Sequence, residues 1–335
     1  MNSIQRVAGT VRFEKTDRVP VIAQVFGHAA TLTGVPLGEY IRSGEALAAG
    51  QIRALEHYDY DAVFSLFDVN VETEAAGSVL EYQHDDYSSI SRYAVDENTD
   101  LDSLRVPNPL KDGRMPEMLK AARTLRKEVG DDVVVVGNVL GPITIATQLM
   151  GMEKALYLAA DEPELFDKVH EYATQIALTF GLAQLEAGVH LTVVFDPSAS
   201  PAAIPARFFA EIEMPKLQYL FSKLQGAGAI ANWLHIAGPV QPILHYYPEI
   251  GVDIGNFDYC VSPEDILEHL PKTCVDGNIK PLDFETASPD AIHGEASALI
   301  DALKERGGHI LSSGCEIPPK SKPENVAAMV QAARR

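Results

Sequence analysis

Cations, cysteines and long apolar runs are all scarce in this sequence, and each shortage closes off a class of function. The 335 residues include only 27 Lys and Arg against 47 Asp and Glu, a formal net charge of -20. So acidic a chain is a poor partner for nucleic acid, whose phosphates demand a cationic surface. The one basic cluster, Arg123-Thr124-Leu125-Arg126-Lys127, reads as a turn of solvated helix. The acids are spread along the chain and indicate solubility more than a particular ligand. There are three cysteines, Cys260, Cys274 and Cys315. An odd, sparse set builds no disulfide framework and points to a reducing cytoplasm. No stretch reaches the ~18–20 uninterrupted apolar residues of a spanning helix. The start, Met1-Asn2-Ser3-Ile4-Gln5-Arg6, lacks the basic and apolar pattern of a signal peptide. A cytoplasmic protein with neither membrane nor nucleic-acid partner is therefore expected.

What the chain does have is a repeating unit. With 46% hydrophobic residues it can fill one large core. Apolar, β-branched runs recur at 19–25, 61–69, 131–138, 190–196, 229–235, 250–258, 273–278 and 309–313, most followed by a helical pattern. Val133-Val134-Val135-Val136 is a near-continuous apolar run of the kind that parallel sheets bury on both faces. Helices are expected at about 37–57, from Gly141-Pro142, at 162–187, 205–225 and 289–306, and from Ser321 to the end. In the helix at 162–187, Phe166, Val169, Ala173 and Ile176 fall on one face, and Gly188 stops it. A small hairpin is expected after the second run, from 78–82 and 89–95. Eight strand–helix units over this length predict a (β/α)8 TIM barrel with a hairpin insertion after strand 2, in one domain spanning 1–335. A doubly wound sheet is the alternative, but Val25-Phe26-Gly27-His28 is no glycine-rich phosphate turn.

Chemistry in such barrels belongs to the C-terminal ends of the strands. The predicted strands end on His28, Asp68, Asn138, Asp196, His235, Asp258 with Cys260, Asn278 and Cys315. Any one of these polar residues is as readily explained by its loop. As a set they include none of the lysines or glutamates that merely solvate a surface. His235 and Cys315 form the best metal pair, since a borderline soft ion such as zinc takes imidazole and thiolate. Asp68 and Asp196 offer carboxylates for orienting a substrate or moving a proton. An Asx-type turn is an equal reading of Asp196-Pro197-Ser198. Cys274, inside an apolar run, is assigned to the core.

At this point the motifs resemble the uroporphyrinogen decarboxylase superfamily over nearly the whole chain. The segments that carry the likeness are residues 64–77, 137–142 and 194–200, Leu234-His235-Ile236-Ala237-Gly238, residues 276–281, and Ser313-Gly314-Cys315-Glu316-Ile317-Pro318-Pro319. The resemblance is closest to the cobamide-dependent methyltransferase branch. It implies methyl transfer between a corrinoid (a methylcobalamin-type cofactor on a partner protein) and a small methyl donor or acceptor, a thiol or an O-methyl compound. It also implies Zn2+ held by His235 and Cys315, and such barrels often pair as homodimers. The branch's middle ligand is replaced by Ala237, leaving Cys260, Glu316 or Asp196 as the third donor. Asp68, Asp196 and His28 are the expected catalytic residues, and Asn138, Gln148, Ser198 and Asn278 the expected substrate contacts. The decarboxylase branch, metal-free, is the alternative. It resembles the chain at Asp68, but has an arginine-rich N-terminal segment that is missing here, a tyrosine at Gln148 and a histidine at Cys315.

Overall fold

The computed structural model describes residues 1–334. Seven parallel strands form its main sheet: β1 (Ala62–Ser65), β4 (Val134–Leu140), β5 (Leu191–Phe195), β6 (Trp233–His235), β7 (Ile254–Asn256), β8 (Cys274–Ile279) and β9 (His309–Ser313), in that spatial order. The remaining two strands, β2 (Val79–Glu81) and β3 (Ser89–Arg92), pair antiparallel as the expected hairpin after β1. Every residue of the seven parallel strands is buried, which is why their sequences are largely apolar on both faces.

Between the strands run the covering helices, such as Gly44–Tyr58, Met115–Val129, Pro163–Glu186 and Pro289–Leu303. In Pro163–Glu186 the buried side chains include Phe166, Val169, Ala173, Ile176 and Phe180, the three-and-four spacing read from the sequence. The chain then turns at Gly188, whose φ of 107° suits glycine.

The sheet curls. Phe64 of β1 and Trp233 of β6 lie three strands apart, roughly 14 Å in a flat sheet. Their ring centroids are 6.1 Å apart. Phe26 reaches both Phe64 (4.9 Å) and Phe195 of β5 (6.0 Å). These rings fill the concave side, where burial of large aromatics contributes most.

The strand expected at 19–25 does not form as a regular ladder. Val21 makes an isolated parallel bridge to Leu311. On that side Leu311 N–H donates to Pro20 O and Ile22 N–H to Leu311 O; on the other, Asp61 N–H donates to Val21 O. Pro20 has no N–H to offer. Further along, Val25 N–H turns back to Ala23 O, and Gln24 O accepts from Ile317 N–H. The backbone of 23–25 is thus tied to the loop after β9 instead of a neighbouring strand. The runs at 229–235 and 250–258 shorten to three-residue strands, and a short helix, Tyr247–Ile250, takes the first residue of the latter.

Beneath the sheet, Asp61 is fully buried and accepts from Arg6 Nη1 (2.6 Å), Arg18 Nη1 (2.7 Å), Ser3 Oγ (2.7 Å) and Val21 N–H (2.7 Å). One carboxylate thereby fastens the N-terminal helix Ser3–Val11 and the bridging segment to the entrance of β1.

Candidate active site

The C-terminal ends of the strands surround a cavity of about 200 Å3. Each wall comes from a strand end. Leu66, Phe67, Asp68 and Val69 follow β1; Phe195 and Pro197 end β5. His235 and Ala237 end β6, and Cys315 and Glu316 follow β9. Phe26 comes from the bridging segment and Tyr87 from the hairpin loop. Of the residues expected from sequence, His235, Cys315, Asp68 and the possible third donor Glu316 thus meet in one cavity.

His235 is 2% exposed. Burial lowers its pKa to about 4, so the ring is neutral at pH 7. Its Nδ1 faces Asn256 Oδ1. Asn256 Nδ2 donates to the backbone of Asp276 (3.1 Å) and Ser313 (3.3 Å), and also to the Asp276 side chain. The amide is thereby oriented with its oxygen toward the imidazole, which assigns the ring proton to Nδ1. Nε2 keeps its lone pair and has no hydrogen-bond partner among the described residues.

Cys315 lies at the cavity with its thiol pushed up to about 11 by burial, and is protonated. Next to it, the Glu316 carboxyl accepts from Gly27 N–H (3.1 Å) and from the Tyr87 hydroxyl. Burial pushes Glu316 up to about 7. Asp68 has both oxygens engaged. Oδ1 accepts from Asn70 N–H (3.0 Å) and Arg114 Nη2 (2.9 Å); Oδ2 accepts from Ser88 Oγ (2.6 Å) and Arg114 Nη1 (2.9 Å). Arg114 also donates to Glu74 (2.7 Å) and to Ile41 O (2.8 Å).

The other expected residues lie outside the lining of this cavity. His28 is buried, with Nε2 on the Tyr58 hydroxyl (2.7 Å) and Nδ1 on Pro319 O (3.1 Å), clamping the loop after β9. Asp196 accepts from Thr144 N–H (3.0 Å) and Thr144 Oγ1 (2.6 Å). It caps the helix Pro142–Met150, whose own N-cap is the side-chain-free Gly141. Asn138 is on β4 with its backbone clasped by Gln184. Gln148 meets Thr73 (3.5 Å), Ser198 meets Thr147 (2.9 Å), and Asn278 donates to Asp258 O and Val261 O. Cys260 is exposed and Cys274 buried, the latter as expected. Arg114, Tyr87 and Asn256 were not anticipated. Asn256 stood within reach, two residues before the chosen Asp258, but an asparagine inside an apolar run carries no signal of its own.

The donor set for zinc is incomplete. His235 offers a neutral imidazole and Cys315 a sulfur, both of the right chemistry. Ala237 contributes none, Asp196 and Cys260 lie elsewhere, and the Glu316 carboxyl is engaged by Gly27 N–H and the Tyr87 hydroxyl. Among the described residues, no group of three His, Cys, Asp and Glu is disposed to hold a metal ion. The residues as placed therefore do not fit a protein-held zinc.

The sequence matches the family described as Uroporphyrinogen decarboxylase (URO-D) over residues 2–335. It is 30% identical over 244 residues to a Methylcobamide:CoM methyltransferase MtaA of Methanosarcina barkeri, covering 69% of this chain and 67% of that protein. It is 26% identical over 309 residues to a uroporphyrinogen decarboxylase of Syntrophotalea carbinolica, covering 89% and 86%. A solved methyltransferase from Methanosarcina mazei superposes with a TM-score of 0.91 at 25% identity, over 100% of this chain and 98% of that one.

Proposed function

The chain belongs to the uroporphyrinogen decarboxylase family, and we propose that within it the protein is a methyltransferase, exchanging a methyl group between a corrinoid carried on a partner protein and a small molecule bound in the cavity. The observation that carries this reading is the cavity itself. At about 200 Å3 it falls below the roughly 300–1,000 Å3 of ordinary ligand pockets, which suits a small molecule. None of its lining residues is Lys or Arg, so it has nothing to hold a porphyrinogen bearing several carboxylates. The methyltransferases among the relatives support the same branch.

The corrinoid cobalt is the methyl-carrying centre in this reading. The protein's own residues bind and orient the small partner. The apolar walls exclude water, and Asn256 holds His235 with Nε2 open to the cavity. A hydrogen-bond donor on the small molecule would find its acceptor in that nitrogen. Asp68, fixed by Arg114 with both oxygens occupied, acts as a rigid wall. Zinc assistance, expected from the family likeness, is left out because the donor set does not fit. For the fold, we take 1–335 as one unit. The hydrogen bonds of residues 20–22 support closure of the curled sheet into an eight-position (β/α)8 barrel.

The test is to follow the cobalt spectrum of methylcobalamin, or of a reduced corrinoid, with the purified chain and a panel of small thiols and methyl compounds. Turnover is expected with at least one, and His235→Ala should lower it by at least ~100-fold, the range of a lost proton-transfer or orienting group. Consumption of uroporphyrinogen without any change at cobalt would refute the reading.

A further inference from the structure

We propose that the cavity is a receptor for a small organic cation, a methylated ammonium or sulfonium, so that the methyl-bearing molecule enters as a positive ion. This rests on the methyl-transfer reading and narrows its substrate class.

The argument is the one-sidedness of the cavity's polar groups. No Lys or Arg lines it. The neighbouring cation, Arg114, donates to Asp68, to Glu74 and to Ile41 O. That cluster of two carboxylates and one guanidinium keeps an excess of negative charge. The Glu316 carboxyl has only a hydroxyl and a backbone N–H as partners, and among the described residues no cation stands within ion-pair distance of it. His235, 2% exposed, presents the unpaired lone pair of Nε2. Every one of these groups offers electron density.

The apolar walls do the same. Phe195 stands edge to face with Phe26, 6.0 Å away at 84°, and 5.0 Å from the His235 ring. Tyr87 adds another ring to the lining, while the Phe67 ring already carries the Arg114 guanidinium 5.8 Å from its centroid. Ring faces beside a carboxylate attract alkylated ammonium groups, which are large, weakly hydrated cations with no hydrogen-bond demands. An anionic thiol would meet acids and lone pairs, with no cation to receive it. A metal ion is the other cation such groups suit, but the described residues do not assemble three donors around one point.

Calorimetric titration of the full chain, free of corrinoid, tests this with choline, its uncharged carbon isostere and mercaptoethanesulfonate. Choline should bind at least about tenfold tighter than the isostere, the scale of a desolvated cation–π contact. The sulfonate should give no measurable heat. Glu316→Gln and, independently, Phe195→Leu should each erode the preference for choline and leave the isostere's affinity unchanged. Equal binding of choline and isostere, or tighter binding of the sulfonate, would overturn the proposal. So would stoichiometric zinc in the purified protein that disappears in Cys315→Ala, because the cavity would then be a metal centre. Methyl transfer is measured separately. Methyl transfer with sulfonate binding refutes only this inference, and choline binding without any methyl transfer to or from cobalt refutes only the earlier reading.

Discussion

Asp68 faces the cavity with both oxygens already occupied, which sets its role more firmly than its position does. A carboxylate that accepts two hydrogen bonds on each oxygen, two of the four from a guanidinium, is an acceptor fixed in place. Arg114, 6% exposed, answers two buried or half-buried acids at once. Replacing it with methionine would strand both charges. Arg114→Met is expected to lower stability by about 3–5 kcal/mol, the cost of breaking a buried pair from one side. Urea unfolding measures this, and a loss below about 1 kcal/mol would show that the pair is already solvated. His235 and Cys315 were legible in the sequence because each sits where an apolar run stops. Arg114 was not, because it arrives from 46 residues beyond Asp68. Tyr87 meets Glu316 across 229 residues, and no local pattern announces such a contact.

At the scale of elements, Asp196 shows how a strand end serves a helix that is not its own. It follows β5, yet it caps Pro142–Met150, the helix after β4, through Thr144. Gly141 makes this possible: a Cβ there would lie 2.1 Å from Asp196 Cγ. Burial and the adjacent Glu213 raise the Asp196 carboxyl well above the usual carboxylate range. Asp196→Asn, which keeps the accepting oxygen, should therefore change stability by less than about 1 kcal/mol, whereas Asp196→Ala should cost about 1–2 kcal/mol as a lost cap. Thermal denaturation of the two variants compares them, and a larger loss for Asn than for Ala would contradict the cap. The sequence offered Asp196 equally as an Asx-type turn, but its side chain accepts from Thr144, while Ser198 N–H goes to Thr144 Oγ1, contacts that no local pattern announces. Strand positions were readable from apolar runs, most plainly at β4, β5 and β9. Strand lengths were not, since apolar residues such as Ala229 and Val252 precede β6 and β7 without joining the ladder.

For the whole molecule, the buried acids outweigh the buried bases near neutral pH. Glu72, Glu213 and Glu316 are each pushed up to about 7 by burial, and Asp196 and Asp276 are raised well beyond their ordinary range. The stability the three glutamates contribute is full below the ordinary 4.5 and is lost as pH climbs through about 7, and the two aspartates act in the same sense. His170, His235 and His309, lowered to about 4 by burial, act in the opposite sense. Their contribution is full above the ordinary 6.5 and is lost as pH falls toward 4. Between pH 7 and 8 the histidines are largely neutral in both states, so the acids decide. The melting temperature should fall from pH 7 to pH 8, and from pH 7 down to about 5 the two sets should offset. Differential scanning calorimetry across this range checks it, and a higher melting temperature at pH 8 would contradict it.

The bridge between Val21 and Leu311 has a consequence for synthesis. A ribosome releases residues 20–22 well before their partner on β9, with 290 residues between Ile22 and Ser312. At roughly 5–20 residues per second, that apolar segment waits on the order of half a minute with one neighbour missing. Asp61, which donates its N–H to Val21 and binds Arg6 and Arg18, emerges early enough to shelter it from one side in the interval. Truncated messages that end before β9 should for this reason yield chains that engage chaperones or aggregate, whereas loss of the helix Pro323–Ala332 alone leaves that partner in place.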